Sequence, residues 1–275
     1  MSSISASGPA SPIILVFDSG LGGLTVYRDV VKARPDARFI YAADDAFFPY
    51  GRQDEPALVT RVLNVMDEWI AAHRPDLVVI ACNTASTLVL PQLRARFQVP
   101  FVGTVPAIKP ACAGSKSKLV SVLGTEATVS REYTRALIRD FAQGCAVTLV
   151  GSPRLAELAE AALKGETVGD EAIAAELAPC FVEADGRRTD TVVLACTHYP
   201  LLLERLQTLA PWPVNFIDPA PAIARRVTAL LGPAAPDVMA LPGRAIFSSG
   251  QAPSRALAAA LHRLGLETGM AVGGV

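Results

Sequence analysis

The sequence has little of what marks several specialised classes of protein. Its 275 residues include five cysteines without a CxxC pair, three histidines and a formal net charge of only −1. A net charge near zero argues against a basic surface for nucleic acid or an anionic membrane. The odd, unpaired set of cysteines argues against a disulfide framework and a closed zinc site. We therefore expect reduced thiols, no metal site and no nucleic-acid partner.

Long apolar runs are absent as well. Runs such as 77–81 and 191–195 are far shorter than the ~20 residues that cross a bilayer. Residues 1–12 are mostly Ser, Ala, Gly and Pro and lack the basic start and apolar stretch of a secretory signal, so we read them as a loose tail. We expect a soluble, cytoplasmic protein without membrane contact.

What the chain does have is a repeated order of elements. Short apolar runs lead into turns that bear Gly, Ser or Thr and then into helical patterns, which is typical of a parallel sheet covered on both faces. The fold class is therefore predicted to be α/β. The predicted strands are 13–17, 39–42, 77–81, 119–123, 147–150, 191–195, 214–217 and 245–247. The predicted helices are 24–33, 55–73, 87–97, 130–141, 155–163, 170–182, 201–209 and 253–264.

The two halves of the chain are similar to each other. Residues 76–82, DLVVIAC, match residues 190–196, DTVVLAC, at an offset of 114, and residues 101–108 match residues 216–223 at an offset of 115. Buried strands share Val, Ile and Ala by chance. Chance does not explain why both strands end in an Ala-Cys pair followed by hydroxyl-bearing residues.

We therefore predict two pseudo-symmetric lobes, each a mostly parallel sheet flanked by helices, with the active site in the cleft between them. Residues 1–101 and 214–275 form the lobe with Cys82, and residues 102–213 form the lobe with Cys196. Ligands of parallel sheets bind beyond the carboxyl ends of the strands, where both cysteines lie. A following helix N-terminus favours a thiolate, so we expect a thiol pKa below the ordinary value of about 8.5.

Two thiols on opposite sides of one ligand suit one reaction, inversion at a carbon. One thiolate removes the Cα proton of an amino acid, and the opposite thiol delivers a proton to the other face. None of the five lysines lies in a strand-end pocket motif, so pyridoxal phosphate is not expected. The turn 20–23 lacks the G-x-G-x-x-G spacing of a dinucleotide loop. Without a cofactor, hydroxyl and N–H groups near the turns must stabilise charge on the substrate carboxylate. The candidates are Ser19, Thr84, Ser86, Thr125 and Thr197.

These segments resemble a known family, the glutamate racemases, which are cofactor-independent enzymes that make D-glutamate for bacterial peptidoglycan. The similar segments follow the family order over nearly the whole chain, and the two cysteine motifs together are highly specific. The segments are 17–23, 43–44 with 49–51, 81–86, 123–125 with 127–128, 196–201, 217–219 and 248–250.

The resemblance implies roles for individual residues. Cys82 is expected to act on D-glutamate and Cys196 on L-glutamate, assisted by Asp18 and His198 respectively. An assisting glutamate corresponds best to Glu160. Glu157 competes for that role, because the Pro-Leu context usual in the family is replaced here by PRLAE at 153–157. The implied substrate contacts are Asp18, Ser19, Pro49, Tyr50, Gly51, Asn83, Thr84, Thr125, Thr197 and His198.

Other readings stay open at this point. An aspartate racemase of the same superfamily keeps both cysteines and changes the pocket. A metal or redox protein could use Cys82, Cys196 and His198, and a binding protein on this fold needs no catalysis. Asp18 alone reads equally well as a helix cap, and Tyr50 as a packing aromatic. The sequence does not reveal the oligomeric state, and a homodimer is the expectation.

Overall fold

The computed structural model describes residues 11–235 and 240–268, so most of the predicted tail lies outside the described residues. The strands are β1 Ile13–Asp18, β2 Arg38–Ala43, β3 Leu77–Ile80, β4 Phe101–Gly103, β5 Leu119–Gly124, β6 Ala146–Gly151, β7 Glu183–Ala184, β8 Arg187–Arg188, β9 Thr191–Ala195, β10 Asn215–Ile217, β11 Gly243–Phe247 and β12 Leu266–Thr268. The helices are α1 Leu24–Ala33, α2 Glu55–His73, α3 Asn83–Arg96, α4 Ile108–Gly114, α5 Glu126–Ser130, α6 Glu132–Phe141, α7 Leu155–Leu163, α8 Asp170–Leu177, α9 Leu203–Leu209, α10 Ala220–Leu231 and α11 Arg255–Arg263.

Two parallel sheets organise these elements. A six-stranded sheet has the order β12-β11-β2-β1-β3-β4, and a four-stranded sheet has the order β10-β9-β5-β6. Neighbouring strands are parallel in both sheets. A short antiparallel pair, β7 with β8, stands apart from them. The predicted α/β class is confirmed.

The internal repeat is visible in the strand order. The order β2-β1-β3-β4 of the first sheet recurs as β6-β5-β9-β10 in the second. Strands β3 and β9, which immediately precede Cys82 and Cys196, therefore occupy equivalent positions. The predicted pseudo-symmetry is confirmed, with β11 and β12 as additions to the first sheet.

The aspartate that begins each repeat has a structural reason. Asp76 accepts a hydrogen bond of 2.7 Å from the backbone N–H of Ile13 at the start of β1. Asp190 accepts bonds of 2.7 Å from the N–H groups of Lys116 and Ser117, just before β5. In both sheets the carboxylate fixes the start of the neighbouring strand, because strand-edge N–H groups otherwise lack a partner.

The sheets divide the chain close to the predicted lobe boundaries, with two differences. Strand β4 carries the first sheet to Gly103. For residues 214–217 the structure corrects the prediction, because Phe216 pairs with Val192 and so joins β10 to the second sheet. The chain therefore passes from the first sheet to the second between β4 and α4, and it returns to the first sheet after β10.

Burial explains why the strands read as continuous apolar runs. Ile14 and Val16 of β1 pack into one apolar cluster, and Leu15 and Phe17 pack into another on the opposite face. Strand β9 alternates in the same way between two clusters of the second sheet. Since helices cover both faces of each sheet, functional polar groups are confined to the strand ends.

Of the eleven helices in the described residues, local sequence patterns gave six within two residues at each end, including α2 and α7. They missed α4, α5 and α10 and placed the start of α3 four residues late. The predicted helix 170–182 is wrong beyond Leu177, where a 3-10 turn containing Pro179 takes over. The predicted helix 130–141 is preceded by the separate helix α5, and the break falls at Arg131. Across the described part of the chain, the structure contains no helix with the length and apolar character needed to span a membrane.

Candidate active site

Polar residues lie at the carboxyl ends of four strands, two in each sheet. Asp18 ends β1, Cys82 follows β3, Thr125 follows β5 and Cys196 follows β9. The exposed fractions of Asp18, Cys82 and Cys196 are 0, 5 and 7%. Thr197 donates from Oγ1 to Asp18 Oδ2 at 2.9 Å, which joins the strand ends of the two sheets. The two sheets thus meet at a buried polar cluster.

Cys82 is the N-cap residue of α3, as the sequence indicated. Its Sγ lies 3.6 Å from Ser19 Oγ. Burial, followed by the negative charge of Asp18, raises the pKa of Cys82 to about 12, although the N–H of Ala85 and the hydroxyl of Ser19 oppose the rise. The expected lowering of the Cys82 pKa is therefore wrong, because desolvation outweighs the helix N-terminus. Cys82 is a protonated thiol at neutral pH.

Cys196 lies in a different setting. Its Sγ is 3.7 Å from His198 Nδ1, and His198 Nε2 is 3.1 Å from Glu160 Oε1. His198 is 2% exposed and Glu160 4%. The three side chains form a buried chain of thiol, imidazole and carboxylate, in which the carboxylate orients the ring and the ring can exchange a proton with the thiol.

The imidazole and the carboxylate form an ion pair. Burial lowers the pKa of His198, but its bonds with Cys196 and Glu160 outweigh that effect and raise the pKa well above 6.5. Burial raises the pKa of Glu160, but His198, Lys164 and the N–H of Leu21 together lower it to about 2. Lys164 Nζ lies 2.9 Å from Glu160 Oε2, and Leu21 N lies 2.7 Å from Oε1.

The two candidate glutamates have different surroundings. Glu160 contacts His198, whereas Glu157, one turn earlier on α7, pairs with Arg52 at 2.8 Å and is partly exposed. The geometry therefore favours Glu160 over Glu157 as the partner of His198. Lys164 was not recognised from the sequence, although its spacing of four residues from Glu160 on one helix was the available signal.

Asp18 is held by groups from both sheets. It accepts a bond of 3.0 Å from the N–H of Gly20 and one from Thr197, and these bonds go to neither cysteine. Burial raises the pKa of Asp18, while the positive charge of His198 lowers it. Asp18 acts on Cys82 through its charge, which helps to keep that thiol protonated.

The glycine-rich turn after β1 permits the close approach of the two sheets. A Cβ atom on Gly22 would lie 2.5 Å from His198 Nδ1 and 2.6 Å from the His198 backbone nitrogen. A Cβ atom on Gly20 would overlap Glu160 Oε1. The turn therefore receives the residues of the second sheet instead of a phosphate group.

Hydroxyl and amide groups line the other side of the cluster. Thr84 Oγ1 lies 3.0 Å from Thr125 Oγ1 and 3.2 Å from Thr128 Oγ1, so three hydroxyls meet across the sheets. Asn83 is 2% exposed, and neither polar atom of its side chain has a partner within the protein. An unpaired buried amide costs roughly 1–3 kcal/mol, which a ligand that bonds to it would recover.

The loop that carries Pro49, Tyr50 and Gly51 is anchored from behind. Tyr50 donates from its hydroxyl to Asp44 Oδ2 at 2.6 Å, and Arg61 binds the same buried carboxylate through Nε at 3.0 Å. Gly51 lies against Thr125, since a Cβ there would approach the Thr125 Cβ to 3.0 Å. The loop therefore closes over the cluster from the first sheet, and Asp44 was not recognised from the sequence as its anchor.

One candidate from the sequence is used elsewhere. The hydroxyl of Ser86 donates to the carbonyl of Ile80 at 2.8 Å and accepts from the N–H of Thr104 at 3.0 Å. Ser86 is thereby committed to the backbone and is not available to a ligand. Within residues 11–235 and 240–268, no group of three or more His, Cys, Asp or Glu side chains is arranged to hold a metal ion.

Comparison with known proteins decides the family. The family model described as Asp/Glu/Hydantoin racemase matches residues 14–227, which include both cysteines and most of both sheets. The chain belongs to this family. A racemase of this family from Brucella canis, named glutamate racemase, is 57% identical over 232 residues, which cover 82% of this chain and 84% of that protein.

Solved structures of the same family share the architecture. The structure of Escherichia coli glutamate racemase in complex with L-glutamate and the activator UDP-MurNAc-Ala has a TM-score of 0.85 and 42% identity, covering 94% of this chain and 97% of that one. The RacE1 isoform of glutamate racemase from Bacillus anthracis has a TM-score of 0.78 and 26% identity, covering 95% and 97%. The two-sheet arrangement is therefore that of the racemase family.

Proposed function

We propose that this protein interconverts L-glutamate and D-glutamate by a two-base mechanism that needs no cofactor. The observation that carries the proposal is the equivalent position of Cys82 and Cys196 at the ends of β3 and β9, both buried and both bordering the cluster around Asp18. The relatives named glutamate racemase, and the bound L-glutamate of the Escherichia coli enzyme, support glutamate as the substrate.

The two thiols have different surroundings. Cys82 is protonated at neutral pH and can donate to Cα, whereas Cys196 lies beside the positively charged ring of His198 and serves as the base for L-glutamate. With L-glutamate, Cys196 removes the Cα proton and the Cys82 thiol delivers one to the opposite face. That turnover leaves Cys82 as the thiolate and Cys196 as the thiol. In this form Cys82 removes the Cα proton of D-glutamate and Cys196 delivers a proton to the opposite face, which restores the starting form.

Charge that develops on the substrate carboxylate needs hydrogen-bond donors in a dry site. The free amide of Asn83 and the hydroxyls of Thr84 and Thr125 supply them on one side. Ser19, whose hydroxyl lies beside Cys82, supplies one near the reacting carbon, and Thr197 can supply another only if its hydroxyl exchanges Asp18 for the substrate. We assign the backbone of 49–51 to the substrate as well, because the side chain of Tyr50 is already bonded to Asp44.

The product defines the biological role that we propose. D-Glutamate is a component of bacterial peptidoglycan, and the activator in the Escherichia coli structure carries the muramic acid unit of that polymer. Supply of D-glutamate to cell-wall synthesis in the cytoplasm is consistent with both. We propose two lobes, centred on the two sheets, that separate to admit substrate. A homodimer is the assembly that we propose.

The decisive experiment removes each thiol in turn. Cys82→Ala and Cys196→Ala are each expected to reduce racemisation of L-glutamate, followed by circular dichroism without pyridoxal phosphate, by at least about 100-fold. Cys145→Ala is the matched control, since this partly exposed thiol lies in the second lobe away from the cluster. Full activity of either Cys82→Ala or Cys196→Ala refutes the two-base assignment. L-Aspartate in the same assay distinguishes the aspartate racemase alternative.

A further inference from the structure

Glu157 is the acidic residue of α7 that the catalytic cluster leaves unused. Its carboxylate Oε1 lies 2.8 Å from Arg52 Nη1, and the side chains are 56% exposed for Arg52 and 36% for Glu157. Arg52 also directs Nη2 toward the carbonyl of Pro153 at 3.4 Å. Arg52 follows directly after Gly51 in the loop of the first sheet, whereas Pro153 and Glu157 belong to the second. The ion pair therefore bridges the two lobes.

The bridge borders Gly51 and Thr125, whose hydroxyl meets that of Thr84 in the cluster, and we take this side as the mouth of the site. A pocket of about 20 Å³ lies between the two segments, bordered by Gly51 and Arg52 on one side and by Thr125, Glu126 and Glu157 on the other. That volume holds about one water molecule, so glutamate does not fit between the two segments in this arrangement. The two segments must separate before a substrate can enter on this side.

Other contacts between the lobes are more deeply buried. Glu160 with the N–H of Leu21, and Thr197 with Asp18, lie inside the cluster. Breaking an exposed ion pair costs less than breaking a buried one, because water solvates the separated charges. Among the ion pairs of the described residues that join the two sheets, the pair of Arg52 with Glu157 is the one best suited to break and re-form in each catalytic cycle.

We propose that Arg52 and Glu157 form an electrostatic latch that closes the mouth of the active site, and that Arg52, once released, draws the anionic substrate in. This inference rests on the proposed function for its substrate. When the latch opens, the mouth presents the cation of Arg52 together with the carboxylates of Glu126 and Glu157. The balance among these three charges sets the rate at which a dicarboxylate amino acid enters.

Neutralising either partner of the ion pair should have the same effect on opening of the mouth but opposite effects on the entry of an anion. Arg52→Gln and Glu157→Gln both remove the latch, so both open the mouth more often. Arg52→Gln leaves only the two carboxylates at the mouth and repels an anion more strongly than the wild type, whereas Glu157→Gln leaves Arg52 balanced by Glu126 and repels an anion less. A role limited to local packing predicts no such difference in sign.

The first measurement needs no substrate. Alkylation of Cys196 by neutral iodoacetamide, followed by mass spectrometry of its peptide, is expected to be about two- to five-fold faster in both Arg52→Gln and Glu157→Gln. The ratio of anionic iodoacetate to iodoacetamide labelling should fall in Arg52→Gln and rise in Glu157→Gln. Arg96→Gln is the matched control, because Arg96 pairs with Asp67 at similar exposures of 53 and 38% within the first lobe.

The second measurement is kcat/KM for L-glutamate at low and high salt. Arg52→Gln is expected to lower it about three-fold and Glu157→Gln to raise it about two-fold, and both differences should vanish near 1 M salt, where charges are screened within about 3 Å. The reversed pair, Arg52→Glu with Glu157→Arg, keeps the charge total at the mouth and should return kcat/KM to within about two-fold of the wild type.

The outcomes separate this inference from the proposed function. A wild-type protein that does not racemise glutamate refutes the proposed function, and the labelling ratios still test the latch. A wild-type protein that is active, with both Arg52→Gln and Glu157→Gln behaving like Arg96→Gln in labelling, refutes the latch alone. Shifts of the same sign in the two labelling ratios refute the role of Arg52 in attracting the anion.

Discussion

Glu160 Oε1 lies 3.1 Å from His198 Nε2 in the buried space between the two sheets, and the same oxygen accepts from the N–H of Leu21. The carboxylate therefore contacts the first lobe through Leu21 and the second through His198. An ion pair in this position both aligns the ring that faces Cys196 and helps to hold the lobes together.

Glu160→Gln should slow racemisation and change the pH dependence of stability. The amide keeps the shape but removes the anion, so the pKa of His198 falls and its proton exchange with Cys196 is impaired. We expect a loss of kcat of about 100-fold. The matched control is Lys164→Gln, which removes the exposed partner of Glu160 and leaves His198 in contact, and it should cost less than about ten-fold.

The pH dependence follows from the two pKa shifts. The pKa of His198 is raised in the folded state, so its contribution to stability is full below 6.5 and is lost as the pH rises through the folded value. The pKa of Glu160 is lowered from 4.5 to about 2 in the folded state. Its contribution to stability is therefore full above pH 4.5 and is lost as the pH falls through the folded value of about 2. The difference in melting temperature between wild type and Glu160→Gln should therefore be largest between pH 4.5 and 6.5. A difference that is constant from acid to alkaline pH would contradict the ion pair.

Gly22→Ala should disrupt the contact between the lobes. The added methyl carbon would lie 2.5 Å from His198 Nδ1 and 2.6 Å from Thr197 Oγ1, and the backbone nitrogen of His198 leaves no room to retreat. Overpacking of this kind costs about 1–3 kcal/mol. Urea unfolding is expected to reveal that loss together with a fall in kcat. Gly114→Ala is the control, since its Cβ would meet nothing within 4 Å, and its stability should not decrease.

Arg131 is another side chain that joins both lobes. It lies between α5 and α6 of the second lobe, is 8% exposed, and donates through Nη1 to the carbonyl of Thr84 and to Thr87 Oγ1 at 2.7 Å. Its Nε pairs with Glu55 at 3.1 Å. Since Thr84 is two residues from Cys82, Arg131 holds the first turn of α3 in position.

Arg131→Ala is expected to destabilise the protein by about 3 kcal/mol, because it removes the charge-assisted hydrogen bonds to the Thr84 carbonyl and to Thr87. Arg131→Lys keeps the positive charge but lacks the planar guanidinium that bonds to several acceptors at once. It should therefore be more stable than Arg131→Ala and still raise KM for glutamate, because Thr84 is displaced. Arg139→Ala is the control, because Arg139 pairs with Glu132 on the exposed surface. Equal losses in Arg131→Ala and Arg139→Ala would contradict the positioning role.

Features encoded by neighbouring residues, such as helix ends, were predicted from the sequence. Features that depend on contacts between residues far apart in the chain were missed. Helix α2 was predicted with its observed ends, and in the structure Asp54 caps it and Pro56 lies in its first turn. The equivalence of Cys82 and Cys196 followed from the repeated DLVVIAC and DTVVLAC segments. The contact of Gly22 with His198 joins residues far apart in the chain, and no periodicity records it. The pKa of Cys82 was misjudged because burial is a property of the folded chain, not of the helix N-terminus beside it.

Asp44→Asn tests whether the loop at 49–51 depends on its buried anchor. Asp44 is fully buried and binds both the Tyr50 hydroxyl and the Arg61 guanidinium, so the amide loses the charge that holds Arg61 and leaves a donor facing a cation. Breaking such a pair costs about 3–5 kcal/mol. KM for glutamate should rise more than kcat falls, because the proposed role of this loop is to bind substrate and not to transfer a proton.

Tyr50→Phe separates the two partners of Asp44. It removes one hydrogen bond worth about 1 kcal/mol and keeps the ion pair with Arg61 and the packing of the ring against Phe17. We therefore expect Tyr50→Phe to fold with nearly normal stability and to raise KM only slightly. A Tyr50→Phe variant with a KM as high as that of Asp44→Asn would mean that the phenol, not the buried carboxylate, fixes the loop.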